Sequence, residues 1–367
     1  MKSEIIYKID KLKECFIEEN DDSSKDYQYD FTSNVKTMLL KEDVNFIYNR
    51  AKGGYNKIYY GAPGCGKSYL VQKQLKDNNV PSCNIVRTTF HQEYTNTDFV
   101  GQIIPIVSKE IDPNDFTKTI DKISYEFNPG PFVVALEKAM KSNDMIYLII
   151  EEINRGNAAS IFGDIFQLLD RVKDINSETY SESEYPITNV NVQKYLGLTK
   201  EDTIIIPSNL TIYATMNSSD QSVFTLDTAF KRRWSFEQIS NDIEKDDEHE
   251  YKHWKIPGSG VTWEKFLTRI NNEILKYKVS NSSSEDKRLG KYFVSKDCLT
   301  EKQKIILECE SEASEFAYKV LEYIWDDVCK YGQNDWFDTN KYRTLEELIN
   351  GFKREGLAIF PNIKFDE

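Results

Sequence analysis

Eight residues, Gly61-Ala62-Pro63-Gly64-Cys65-Gly66-Lys67-Ser68, have the spacing G-x-x-x-x-G-K-S, and the chemistry this suits is the grip of a phosphate chain. Glycines let the backbone wrap closely, so that its N–H groups and the start of a following helix face anionic oxygens. Lys67 then reaches the β- and γ-phosphates and the Ser68 hydroxyl ligates Mg²⁺. With the adjoining Tyr69, the run Gly61, Ala62, Pro63, Gly64, Cys65, Gly66, Lys67, Ser68 is the expected nucleotide-binding set. A Gly-rich turn without chemical meaning is the alternative; the apolar run KIYY before the loop and the helix-like run after it weigh against that.

Three other groups suit the same reaction. The run Met145–Ile150 is apolar and ends in Glu151 and Glu152. Carboxylates at a strand's C-terminal edge can hold the water shell of Mg²⁺ and orient an attacking water, so Glu151 is assigned to the metal and Glu152 to water activation. A second apolar run, Leu210–Met216, ends in Asn217. Its carboxamide offers donor and acceptor together and suits a sensor of the γ-phosphate, although Asn, Ser and Asp also favour turns and caps. Lys231-Arg232-Arg233-Trp234 closes a helix-like stretch. An arginine there can place a guanidinium on a neighbouring copy's γ-phosphate, or the pair can simply suit the negative end of a helix dipole.

The elements that must position these groups follow from hydrophobic periodicity. Short β-type runs (KIYY, NIVRTT, MIYLII, LTIYATM) alternate with helix-like stretches, one running to about Lys76 and another from about Ala158 to Val172. That alternation predicts parallel βαβ units, with strands apolar on both faces between covering helices. Beyond about residue 245 helical periodicity takes over, with Trp263, Phe266, Leu267, Ile270 and Ile274 on one stripe and Phe316, Val320, Ile324 and Val328 on another. The expected organisation is a helical lead over 1–50, an α/β nucleotide-binding domain over 51–245, and a helical lid over 246–367. The Ser-rich stretch NSSSEDKRLGKYFV leads into an apolar strand or turn.

With 367 residues the chain has length for two domains. No apolar run approaches the ~20 residues of a membrane helix. The N-terminus lacks the features of a secretory signal, so a cytoplasmic protein is expected. Six cysteines without CxxC spacing argue against a zinc site or a disulfide framework and read as thiols in or near cores. A net charge of −13 opposes non-specific binding to duplex DNA by this chain alone. His91, His249 and His253 read as surface or capping residues.

Taken in order, the motifs resemble the McrB branch of the AAA+ superfamily, the GTP-using motors of modification-dependent restriction systems. The resemblance rests on GAPGCGKS, on FHQEYTNTDFVG at 90–101, FNPGPFVVAL at 127–136, IIEEINRGNAASIFGDIFQLLDR at 149–171 and MNSSDQSVFTLDTAFKRRWSF at 216–236, with a weaker likeness in DKRLGKYFV at 286–294. It implies an AAA+ P-loop NTPase core with a parallel sheet and a helical lid, assembled as a hexameric homo-oligomer that uses GTP or ATP with Mg²⁺ at subunit interfaces. By position, Asn217 and Asp220 match the ends of the family's NTAD element, and Arg232 and Arg233 its arginine pair, with Arg232 the trans finger. Inserts fall near 99–135 and 173–208, where this branch directs them toward the pore or the partner.

Departures are the Glu151 in place of the usual Asp, NSSD in place of NTAD, and Gln221 where Arg is common. Neither a modified-DNA reader ahead of the loop nor a nuclease motif is recognisable, so a McrC-like nuclease partner is implied, with DNA engaged through the complex. A MoxR-like ATP-dependent chaperone acting on a protein partner is the second reading. A nucleotide-gated scaffold is the third.

Overall fold

The computed structural model describes residues 50–112, 115–217, 224–276, 287–301, 310–330 and 332–365. Nearly all of the expected N-terminal lead, and Asp220 with its neighbours 218–223, lie outside the described residues. The chain divides into two compact units. The first takes the described residues up to Lys57 with Asn79–Ala214 and Phe224–Ser235; the second takes Ile58–Asn78, Thr215–Val223 and Phe236–Glu367.

The runs KIYY, MIYLII and LTIYATM become strands largely buried on both faces, which is why they show no alternation in the sequence, whereas NIVRTT becomes a partly exposed strand. In chain order the elements are β1 (Asn56–Gly61), α1 (Lys67–Asp77), β2 (Ile85–Thr89), α2 (Asn96–Phe99), β3 (Gly101–Asp112), β4 (Asp115–Pro129), α3 (Pro131–Lys141), β5 (Ile146–Glu151), α4 (Ala158–Phe162), α5 (Val190–Tyr195), β6 (Leu210–Asn217), α6 (Thr228–Lys231) and β7 (Ser235–Gln238). β2 runs parallel to β5, with Ile85 opposite Tyr147 and Thr89 opposite Glu151. β5 runs parallel to β6, with Ile146 opposite Leu210. The five-stranded sheet has the order β2-β5-β6-β1-β7. Leu148, Ile149, Ile150, Ile212 and Ala214 are fully buried on it.

One departure from the sequence expectation belongs to the first unit. The helix expected from Ala158 to Val172 ends at Phe162, because Gly163 takes φ 49°, ψ −129°; a 3₁₀ stretch, Gly163–Leu169, follows. The Asn96 carboxamide caps the break, donating to Ile161 O at 2.9 Å. The region near 99–135 holds an antiparallel hairpin, β3 with β4, in which Gly101 faces Pro129 and Val107 faces Ile123. At its foot α2 is closed by a capping box: Thr95 accepts from Asp98 N, and Asp98 accepts from Thr95 N. Pro131 opens α3 at the position where a missing N–H costs nothing.

Helices α7 (Trp263–Lys276), α8 (Glu310–Phe316), α9 (Gln333–Trp336) and α10 (Leu345–Glu355) belong to the second unit. Trp263, Phe266, Leu267, Ile270 and Ile274 all lie in its core, as do Phe316, Val320, Ile324 and Val328. The second stripe repeats at strict intervals of four, which an α-helix of 3.6 residues per turn lets drift. The backbone answers with wider π turns over Ala317–Leu321 and Ile324–Val328, the last closed by Cys329 N donating to Ile324 O at 2.9 Å. Described residues 287–294 form a turn rather than a strand. Cys65, Cys298 and Cys329 are buried, whereas Cys83 is exposed. His249 is buried rather than at the surface.

Candidate functional site

β1 ends where the loop begins, and the loop's backbone is possible only with glycine at two points: Gly64 has φ +75° and Gly66 φ +98°. Gly66 is the left-handed N-cap of α1 and Lys67 its first residue, so the helix opens onto the loop and its unpaired N–H groups lie there. Lys67 is 7% exposed, and its Nζ donates to Gly61 O at 3.1 Å and Ala62 O at 3.0 Å. A buried ammonium, a helix N-terminus and a concave run of amides form a donor set that suits the oxygens of a polyphosphate. Ser68 stands one residue into the helix and is exposed. Burial pushes the Cys65 thiol up, against the pull of Lys67, so it remains a packed thiol and not a nucleophile. Tyr69 is 58% exposed.

The carboxylate pair sits at the C-terminal end of β5. Arg87, on the neighbouring strand β2, donates to Glu151 Oε1 at 2.6 Å, a pairing that sequence spacing did not reveal and that competes with any cation for this carboxylate. Glu152 takes φ 55°, ψ 48°, a left-handed conformation that costs a non-glycine residue about 1 kcal/mol or more. It turns the chain sharply off the strand, with Arg155 N donating to Glu152 O at 2.9 Å and Arg155 Nε to Glu152 Oε2 at 3.2 Å. Side-chain exposure of 14% for Glu151 and 27% for Glu152 leaves both reachable.

Asn217 is the last residue of β6 and is 8% exposed. The two arginines, equivalent in sequence, differ in their surroundings. Asp227 caps α6 by accepting from Phe230 N at 2.6 Å, and the helix ends at once, with Arg232 as its C-cap, exposed. Arg233 turns inward: its side chain is 9% exposed, with NH2 2.7 Å and Nε 2.9 Å from Asp170 Oδ2, NH1 donating to Ala229 O at 2.9 Å, and the guanidinium 3.9 Å from the Phe166 ring centre. Next to Asp170, Arg171 is buried, and burial pushes it down to about 9 against the opposing charge of Glu182. It donates to Asn56 Oδ1 at 3.2 Å, and Asn56 Nδ2 donates to Arg233 O at 3.1 Å. The backbone that presents Arg232 is thereby fixed from several sides.

The stretches 90–101 and 127–132 also meet. Gly130 lies so close to Phe99 that a Cβ there would sit 2.3 Å from Phe99 O, and His91, Tyr94, Asp98, Gln102 and Asn128 line a cavity of about 340 Å³ beside the hairpin.

A model of the AAA domain (dynein-related subfamily) matches residues 57–234. The YdiS component of the type II restriction enzyme BsuMI from Bacillus subtilis (strain 168) is 38% identical over 319 residues, 81% of this chain and 85% of that protein. This chain belongs to the McrB-like AAA+ family. The type IV methyl-directed restriction enzyme EcoKMcrB subunit of Escherichia coli (strain K12) is 26% identical over 222 residues, 59% of this chain and 42% of the subunit. McrB-like AAA+ proteins are nucleoside triphosphate hydrolases with a parallel α/β core that in general use Mg²⁺ with the nucleotide, and this chain is such a hydrolase. Among the described residues, no helix is long and apolar enough to cross a membrane.

Proposed function

We propose that this McrB-like chain is the motor of a restriction assembly, hydrolysing GTP, or ATP with lower preference, between the subunits of a homo-oligomeric, hexameric ring to switch on a McrC-like nuclease. The observation that carries the reading is the glycine loop closing on buried Lys67 at the head of α1. In this reading 51–245 is the nucleotide-binding domain and 246–367 the lid. Both relatives are restriction-enzyme components, which supports the setting.

The chain's own residues divide the work. Backbone amides of 61–68 and Lys67 hold the phosphates, and Tyr69 adjoins them. Ser68 and, through water, Glu151 would hold Mg²⁺, which would supply charge neutralisation on the phosphate chain. Glu152 accepts a proton from, or orients, the attacking water, and Asn217 bonds the terminal phosphate. Asp220 supports nucleotide handling. Arg232 of a neighbouring copy approaches as charge develops, while Arg233 holds the backbone that presents it. DNA is engaged through the complex.

The test is hydrolysis of GTP and ATP by the parent chain and by Glu152→Gln, with and without the partner nuclease and DNA. Expected are faster GTP turnover in the presence of the partner and a fall of about 100-fold or more in Glu152→Gln with binding retained. Strict use of ATP with no response to nuclease or DNA would instead favour a chaperone acting on protein.

A further inference from the structure

The segment 287–294, KRLGKYFV, is neither helix nor strand, yet its backbone is held by side chains from all around it in the second unit. Asn271 brackets Leu289, its Oδ1 accepting from Leu289 N at 2.8 Å and its Nδ2 donating to Leu289 O at 2.9 Å. Asn241 accepts from Lys291 N at 3.0 Å and donates to Leu289 O at 2.7 Å. Trp263 Nε1 and His249 Nε2 both bond Lys291 O, at 2.9 Å and 2.8 Å, and Tyr251 donates to Val294 O at 2.9 Å. Irregular backbone fixed this thoroughly has a defined place to be.

That place is the phosphate loop. Gly290 N donates to Pro63 O at 2.9 Å and Tyr292 N to Gly64 O at 2.8 Å. A Cβ on Gly290 would stand 2.1 Å from Gly64 C and 2.3 Å from Cys65 N, while a Cβ on Gly64 would stand 2.7 Å from Phe293 Cα. The Tyr292 ring covers Gly66, whose Cβ would lie 3.0 Å from Tyr292 Cδ2. The ring is itself stacked on His249, with centres 4.6 Å apart, and tethered to Asp246 through its hydroxyl at 3.2 Å.

In a trans peptide the C=O and the following N–H point in opposite directions. Holding Pro63 O and Gly64 O on the strap side therefore turns the Gly64 N–H away from the strap and fixes the turn in which Cys65 N donates to Ala62 O at 3.2 Å, the turn that shapes the loop's remaining amides. We propose that Leu289–Phe293 is part of the phosphate site: a strap in which Gly290 and Tyr292 are positioning residues that keep the loop's amides aimed at a polyphosphate. The proposal deepens the nucleotide reading above and rests on it.

Because the strap acts on phosphate-binding amides, loosening it weakens every ligand with a triphosphate, with or without a base. Calorimetric titration of the full chain with Mg-GTP and with Mg-tripolyphosphate tests this, melting curves being recorded alongside. Gly290→Ala and Tyr292→Ala should each weaken both ligands by the same factor, about tenfold or more, while the melting transition remains cooperative. Tyr292→Phe, which keeps the ring, should recover most of the loss seen in Tyr292→Ala. Where Gly290→Ala does not fold, the Tyr292 pair decides. Parent-like affinity in these variants overturns the strap. Weakening of GTP alone, with tripolyphosphate unchanged, overturns it in favour of a base contact. If the parent chain binds neither ligand, the phosphate-loop reading fails, and the strap with it.

Discussion

Glu152 and His249 show how much of the account rests on single residues in places a sequence does not advertise. A left-handed glutamate at the end of a buried strand persists only where the surroundings over-determine it, and such strain concentrates where geometry matters to chemistry. The Glu-Glu pair itself is plain in the sequence, since an apolar run ending in two acids has few other meanings after a phosphate loop. Arg87 on Glu151 was not legible, because it depends on the register of β2 against β5. Neither was His249, which a polar stretch, EKDDEHEYKHW, made look like surface. Its imidazole is packed against Tyr292 and Tyr251, and burial holds its pKa below the ordinary 6.5, opposed by the hydrogen bond to the Lys291 backbone and by the charge of Asp246. A histidine whose folded pKa is depressed contributes stability above its unfolded pKa and loses it as pH falls through the folded value. The melting temperature of the parent should accordingly decline as pH drops below about 6.5, and His249→Gln, which keeps a donor for Lys291 O but does not titrate there, should flatten that decline. Identical pH profiles for the two proteins would remove His249 from the strap's support.

Elements were legible in proportion to how regular their burial is. β1, β5 and β6 lie where their apolar runs do, since a strand covered on both faces writes itself as an uninterrupted run; the edge strand β2, partly exposed, was marked by its β-branched residues. The helix after Asn157 is shorter than its sequence pattern because IFGDIF continues the apolar rhythm through Gly163, and only the positive φ there ends it. The β3–β4 hairpin left little trace. Pro105 breaks the pattern of a paired strand, and a two-stranded ribbon tolerates it through its open edges. Ile103, Val107, Ile123 and Tyr125 remain exposed on one face, so no half-buried alternation arises. The arginine pair is likewise decided by an element: Arg233 belongs to the packing of Asp170 and Phe166 against α6, whereas Arg232 stands out from the helix end. Replacing Asp170 by Asn should lower stability by about 1–2 kcal/mol in urea titration, since the pair is mostly but not fully buried. It should also reduce turnover by more than it changes nucleotide affinity, because Arg232 loses its fixed backbone. A stability loss with unaltered turnover would confine Asp170 to packing.

At the scale of the whole molecule, the α/β core and the helical stretch that follows it were foreseeable from the change of hydrophobic period near residue 245. The way the chain divides was not. Ile58–Asn78, with the phosphate loop and α1, packs into the same compact unit as Phe236–Glu367, a grouping made by contacts far apart in sequence. The weak motif at 286–294 gains its meaning only through that grouping, because Gly290 and Gly64 are distant in the chain and in contact in the fold.

The central claim is that the loop around Lys67 binds a triphosphate whose hydrolysis is completed by Arg232 of another copy, and mixing two damaged chains tests it most directly. Lys67→Ala removes the phosphate grip but keeps the finger; Arg232→Ala keeps the grip and removes the finger. Each alone should turn over Mg-nucleotide about 100-fold or more below the parent, and an equimolar mixture should recover a substantial fraction of parental activity, from sites that pair an intact loop with an intact Arg232. A mixture no more active than its components, or an Arg232→Ala chain as fast as the parent, would contradict the account.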